Sequence, residues 1–212
     1  DKMISGFIDL HNHSMWSDGD CKPEELIELA IETKLSAIAI TDHYNTGKCA
    51  SIRPEKLENY IETINSLKIR YAGKIKVLCG IEAHLDRIDE NGGLEVFKNF
   101  DYGLSSRLDF VLLEYINGFP AGAKVAAIKD CVRRLKCRTG LAHSDLAMRR
   151  PLNPALEPID NIITLMKRHN IFWEFNHGSK NKEGRKNNYM FDTFDNYLNH
   201  GNFPGIDFFS PD

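Results

Sequence analysis

Apolar residues run along this chain in short continuous blocks, separated by longer stretches with helical spacing. The blocks are GFIDLH at Gly6–His11, SAIAIT at Ser36–Thr41, KIKVLCGIE at Lys74–Glu82, LDFVLLEY at Leu108–Tyr115 and IFWEFN at Ile171–Asn176. Gly140–His143 is a shorter strand, and Phe203–Ser210 supplies a last apolar block. Between them, Pro23–Lys34 carries Leu26, Ile27, Leu29, Ala30 and Ile31 on one helical face. Pro and two Glu at its start suit the fixed φ and the dipole of a helix N-terminus. Pro54–Arg70 repeats the period through Leu57, Ile61, Ile64 and Leu67, and Lys124–Lys136 through Val125, Ile128, Val132 and Leu135. Pro158–His169 and Asn188–Asn199 read as further helices, and Asp86–Gly103 as a loop holding a short helix. Strands apolar on both faces, alternating with helices, predict about seven β/α units around a parallel sheet.

An open doubly wound sheet and a closed β/α barrel both fit this rhythm. The polar residues decide for the barrel, because they gather at strand ends. The first strand ends in His11-Asn12-His13, the second in Asp42-His43, the third in Glu82 and the fifth in His143. The sixth ends in Asn176-His177, and the closing segment in Asp212. In a β/α barrel all C-terminal strand ends meet at one mouth. Residues i and i+2 of a strand point the same way, so His11 and His13 can chelate one ion. Imidazole mixed with carboxylate suits zinc, manganese or iron better than magnesium alone. Each element also has a plain structural use: a turn cap for Asp42-His43, a surface charge for Glu82, a core histidine for His143. Their recurrence at strand after strand is what argues for a shared site.

The segment IDLHNHSMWSDGDCKPEELIELAIETKLSAIAITDHYNTG resembles the opening of the polymerase-and-histidinol-phosphatase (PHP) domain. GIE ending at Glu82, GLAHSD containing His143, WEFN ending at Asn176 and FFSPD ending at Asp212 match its later motifs in order. The resemblance implies a distorted seven-stranded TIM-like barrel, an α/β fold, with two or three divalent metal ions at its mouth. It implies that His11 and His13 hold the first ion with Asp212, and that Glu82 bridges to a second held by His143. Asp18 and His43 would hold the third, with Asp42 behind them or moving protons. The family's fourth strand usually ends in a metal-binding His, whereas this chain has DFVLLEYING there. Glu114 and Asn117 are the nearby oxygen donors, and His84 and His177 the other candidates. The matching His of the last motif would fall two positions past Asp212. The expectation is therefore one domain over 1–212 that continues beyond this end.

Clustered metals can lower the pKa of a bridging water, and the resulting hydroxide can attack phosphorus in line. The implied activity is metal-dependent phosphoesterase chemistry on a small phosphorylated substrate. Asp42 and His177 are the proton-handling candidates. Arg149, Arg150, Arg185 and Lys186 follow strand ends and are the candidate phosphate anchors, with Lys180 and Lys182 nearby. Trp16 beside His13 could stack on a base or sugar, or simply pack. Hydrolysis of an amide or lactone and a metal-binding, non-catalytic scaffold are the alternatives.

Composition narrows the partners. The chain has 212 residues, 42% hydrophobic and 27% charged, which is ordinary for a folded domain. Lys and Arg number 27 against 30 Asp and Glu, a net charge of -3, so a broad duplex-binding surface is not expected. No apolar run approaches the ~20 residues that span a bilayer. Five cysteines without a CxxC pair fit reduced thiols and a cytoplasmic setting rather than a disulfide framework.

Overall fold

The computed structural model describes residues 7–85, 87–114, 123–142, 159–174 and 208–209. Eight strands form one parallel system: β1 (Ile8–Asp9), β2 (Ala37–Ile40), β3 (His43–Tyr44), β4 (Lys76–His84), β5 (Phe110–Glu114), β6 (Arg138–Leu141), β7 (Phe172–Glu174) and β8 (Phe208–Phe209). Seven lie in the order β1-β2-β4-β5-β6-β7-β8, while β3 pairs with β4 off that path. The helices are α1 (Pro23–Glu32), α2 (Leu57–Arg70), α3 (Ala123–Arg134) and α4 (Ile159–His169). Helix α1 starts where the sequence indicates, with Pro23 in its first turn and Glu25 accepting the Lys22 backbone N–H at 2.7 Å. The fold is a distorted seven-stranded β/α barrel of the TIM-like kind.

The two faces of the sheet carry different cores. Ile38, Ile40, Val77, Cys79, Ile81, Val111, Leu113 and Trp173 face outward, onto a layer that includes Ile27, Ile61, Ile64, Ile128 and Met166 of the helices. Ala39, Phe110, Leu112, Ala142 and Phe172 form a smaller inner cluster with Leu10 and Leu78. Alternate residues of a strand point to opposite faces, so this inner cluster is the barrel's plug. Its rings need room beside them. A Cβ on Gly140 would lie 2.0 Å from the Phe172 ring, so glycine is required there. Phe172 in turn meets Phe110 edge-on at 5.7 Å.

Tyr60 ties α2 to the sheet from outside. Its fully buried hydroxyl lies 2.9 Å from the Ile40 carbonyl and 2.7 Å from that of Gly80, linking β2 to β4 at the level where the site begins.

The structure departs from the sequence pattern in two places that matter. Strand β4 runs two residues past Glu82, to His84, and so carries a second polar side chain on the same inner face. The short strand β3 was not indicated by the pattern, since two residues are too few to register as a block. Its pairing sets His43 beside Glu82. The segment expected as a loop with a short helix holds one 3-10 turn at Glu95–Phe97 and a bridge between Ile88 and Leu94. The expected helix at Asn188–Asn199 lies outside the described residues.

Candidate metal centre

Three imidazoles converge on one oxygen. Glu82, fully buried, has its Oε2 at 3.2 Å from His11 Nε2, 3.0 Å from His13 Nε2 and 3.1 Å from His43 Nδ1. The backbone sets this up from three elements: the segment after β1 carries His11 and His13, β3 carries His43, and β4 carries Glu82.

Carboxylates behind the imidazoles fix how they point. Glu174 Oε1 lies 2.9 Å from His11 Nδ1, and Asp18 Oδ1 lies 2.8 Å from His13 Nδ1. A carboxylate only accepts, so each Nδ1 carries a hydrogen, and each Nε2 is the atom turned to the centre, where a cation would take the place of its proton. The two Nε2 atoms are 3.1 Å apart. The second oxygen of Asp18 reaches toward His43 Nε2 at 3.7 Å. His11, His13 and Glu82 form one group able to hold a cation, and His13, Asp18 and His43 form another.

The fourth-strand position is filled by Glu114. It is buried, 3.5 Å from His43 Nδ1 and in contact with His84 Nε2, and it shares a possible cation group with His43 and Glu82. Two further residues that the motifs leave unassigned also stand here. Glu174 is buried behind His11, and Cys49 joins His43 and His84 in a further group. A charged residue inside the apolar block IFWEFN is the signal that could have singled out Glu174.

Asp42 does not face the cluster as an open acid. It is fully buried and accepts hydrogen bonds from the Ser14 N–H at 2.8 Å, the Ser14 hydroxyl at 2.8 Å and the Ser17 hydroxyl at 2.6 Å. These bonds hold the loop that carries His13 and Asp18. Gly19 closes that loop so tightly against His13 that a Cβ would lie 2.1 Å from the His13 carbonyl oxygen. Trp16 is partly buried and packs edge-on against Tyr60 at 5.6 Å, which gives it a packing role.

Electrostatics follow the geometry. Burial alone would lower the His11 pKa, but the Glu82 and Glu174 carboxylates outweigh it and hold the imidazole well above its ordinary value. His13 is likewise raised: burial opposes the proton, and Glu82 favours it more. His43 goes the other way, lowered chiefly by burial. Asp18 is lowered despite some desolvation, because His13 binds its charged form. Burial, followed by Asp18, Glu114 and Glu82, pushes the Cys49 thiol up to about 11.

This donor set fits divalent cations. Imidazole nitrogens and carboxylate oxygens face one another at hydrogen-bond range, with no apolar group between them, and the mixture is the one borderline metals prefer. His143, Asp212, Asn176, His177, Arg149, Arg150, Arg185 and Lys186 lie outside the described residues. Among the described residues, no helix is long and apolar enough to cross a membrane.

The chain has relatives of known kind. A histidinol phosphate phosphatase from Lactococcus lactis, solved with zinc, L-histidinol and phosphate, superposes with a TM-score of 0.58 at 20% identity, covering 98% of this chain and 88% of that one. A protein described as a histidinol phosphatase from Listeria monocytogenes gives a TM-score of 0.63 at 15% identity, with 96% and 93% covered. In sequence, 47 residues are 45% identical to the 5'-3' exoribonuclease Rnm of Escherichia coli, 22% of this chain and 16% of that protein. A stretch of 75 residues is 35% identical to the DNA polymerase/3'-5' exonuclease PolX of Bacillus subtilis, 35% of this chain and 13% of that protein. The chain thus matches a small part of either relative's length. A family model described as the PHP domain matches residues 9–178, most of the chain, and on that match this chain belongs to the PHP domain family.

Proposed function

We propose that this chain is a metal-dependent phosphoesterase that hydrolyses a phosphate ester on a small phosphorylated substrate. The observation that carries the reading is the convergence of His11, His13 and His43 on the Glu82 carboxylate at the mouth of the barrel. His11, His13 and Glu82 hold one cation, and Asp18, His43 and Glu114 complete the set around Glu82. Divalent cations held there supply Lewis acidity toward a phosphoryl group and toward water. Glu174 and Asp18 keep the two Nε2 atoms aimed inward, and Asp42 holds the loop between them. Zinc in the Lactococcus relative supports zinc as one occupant, with manganese and iron as the other candidates.

The substrate side rests on Arg149, Arg150, Arg185 and Lys186 as phosphate anchors, and on His177, with His143 and Asp212 as further ligands. The histidinol phosphatase neighbours favour a phosphate monoester. The short, higher-identity match to the exoribonuclease favours a second reading, a phosphorylated ribonucleotide end.

The test is a phosphate-release panel of histidinol phosphate, nucleoside monophosphates and a short 5'-phosphorylated oligoribonucleotide. Activity should vanish with chelator and return with manganese or zinc. Failure of the metal-loaded protein on every ester would overturn the reading in favour of a non-catalytic scaffold.

A further inference from the structure

Overlapping the carboxylate-centred cluster at His43 stands a second kind of donor set. One ring nitrogen each of His43 and His84 and the Sγ of Cys49 all lie within 4.8 Å of one another. His43 and His84 are buried and Cys49 is partly so. The His43 and His84 rings sit 5.1 Å apart at 56°.

The cysteine is held in place by the fold. It sits in the loop between Tyr44 and Ile52, whose ends are pinned together. Asn45 N–H donates to the Ile52 carbonyl at 2.8 Å, and Ile52 N–H donates to that of His43 at 2.8 Å. Inside the loop the Ser51 hydroxyl donates to the Thr46 carbonyl at 2.9 Å and accepts from the Thr46 N–H at 3.2 Å. A loop closed twice in this way returns Cys49 over His43. A cavity of about 420 Å³, lined by Asn45, Thr46, Lys48 and His84 among others, opens on the same loop and on His84.

We propose that His43, Cys49 and His84 form a zinc-selective position at the edge of the cluster. Two imidazoles and a thiolate are a soft, three-ligand set with one coordination position open, which favours zinc and disfavours manganese and magnesium. Binding releases the thiol proton to solvent and forms a sulfur–metal bond, with no oxidation. Glu114, in contact with His84, steadies that ring as carboxylates behind ligating histidines do. The inference rests on the metal-binding part of the proposed function and not on ester hydrolysis.

Two measurements on the full chain test it. Titration with cobalt(II), a spectroscopic stand-in for zinc, should give a near-ultraviolet thiolate-to-cobalt charge-transfer band. That band should be absent in Cys49→Ser and weakened in His84→Gln. Iodoacetamide labelling read by peptide mass spectrometry should find Cys49 slowed by about tenfold or more in saturating zinc, because a coordinated thiolate is no longer the free nucleophile. Manganese should protect it less. Exposed Cys21, which joins no such group among the described residues, is the internal reference and should react at an unchanged rate. Equal labelling of Cys49 with and without zinc, and no charge-transfer band in the unmodified chain, would overturn the proposal. If Cys49→Ser fails to fold, the labelling of the unmodified chain decides alone. Phosphate release is measured separately on that same chain. Protected Cys49 without hydrolysis sinks the phosphoesterase reading only, and hydrolysis with unprotected Cys49 sinks this one only.

Discussion

Replacing Glu82 by Gln removes one negative charge from the point where three imidazoles meet while keeping shape and one oxygen. Its oxygen lies 3.0–3.2 Å from His11, His13 and His43, so the substitution strikes every cation group built on it at once. Two unit charges about 4 Å apart at an effective dielectric of about 20 interact by about 4 kcal/mol, three decades in affinity. A ligand present at about a thousand times its Kd stabilises the fold by about 4.1 kcal/mol, and at its Kd by about 0.4 kcal/mol. For a domain of this size about 1 kcal/mol moves Tm by about 2–4 °C, so zinc should raise the Tm of the unmodified protein by roughly 8–16 °C. Under the same zinc concentration the rise in Glu82→Gln should shrink to about 1–2 °C. Differential scanning calorimetry with and without zinc reads both numbers, and the chelated variant serves as the folding control. A Glu82→Gln protein stabilised by zinc as much as its parent would refute the placing of Glu82 at the centre.

Proton release gives an independent check. His11 is held well above its ordinary pKa, so at pH 7 it keeps a proton that a cation must displace. Zinc titration calorimetry in two buffers of different ionisation enthalpy should show net release, and affinity should climb as pH rises. The same raised value means that in metal-free protein the His11–Glu174 and His11–Glu82 pairs stabilise fully below about pH 6.5. That contribution is lost as pH rises through the elevated folded value, so a chelated sample whose Tm climbs over this range would contradict it. Asp42→Asn strips an acceptor from Ser14 or Ser17. It should weaken zinc about tenfold to a hundredfold by loosening the His13 loop, read by competition with a chelating dye. Gly140→Ala drives a methyl into the Phe172 ring and should cost about 1–3 kcal/mol, seen as a lowered Tm in the metal-free protein.

The strand and helix rhythm was legible because parallel strands buried on both faces leave long apolar blocks. Helix α1 could be read from Pro23, the glutamates after it and its apolar spacing, and the cluster residues His11, His13, His43 and Glu82 from strand ends. Glu114 and Glu174 were harder. A glutamate at the end of an apolar block reads as the point where the chain meets solvent, and only the inward parity of Leu112 and Phe172 shows otherwise. Cys49 was not legible as a ligand. It lies in a loop, and its nearness to His84 depends on the pinning of that loop at Tyr44 and Ile52, a long-range consequence of β3 pairing with β4. The sequence left Asp42 either behind the ligands or moving protons. The serines that occupy its oxygens come from a turn about 25 residues earlier, which periodicity does not reveal.

The boundary between core and site is a matter of one step in strand register. Along β5 the inward residues are Phe110, Leu112 and Glu114, and along β7 they are Phe172 and Glu174. Along β4, Leu78 packs against the plug, Gly80 leaves room for the Phe110 ring, and Glu82 and His84 follow. Two residues of strand cover about 6.6 Å. Over that distance the barrel passes from a dry plug to three carboxylates that are each at most 2% exposed. Buried carboxylates without cations are costly, and among the described residues histidines, whose charge depends on pH, stand against these three. The plug therefore does more than fill space. By closing the barrel from below, it makes protons and metal ions at the imidazoles part of what balances the three carboxylates, which couples the stability of this end of the barrel to what it binds.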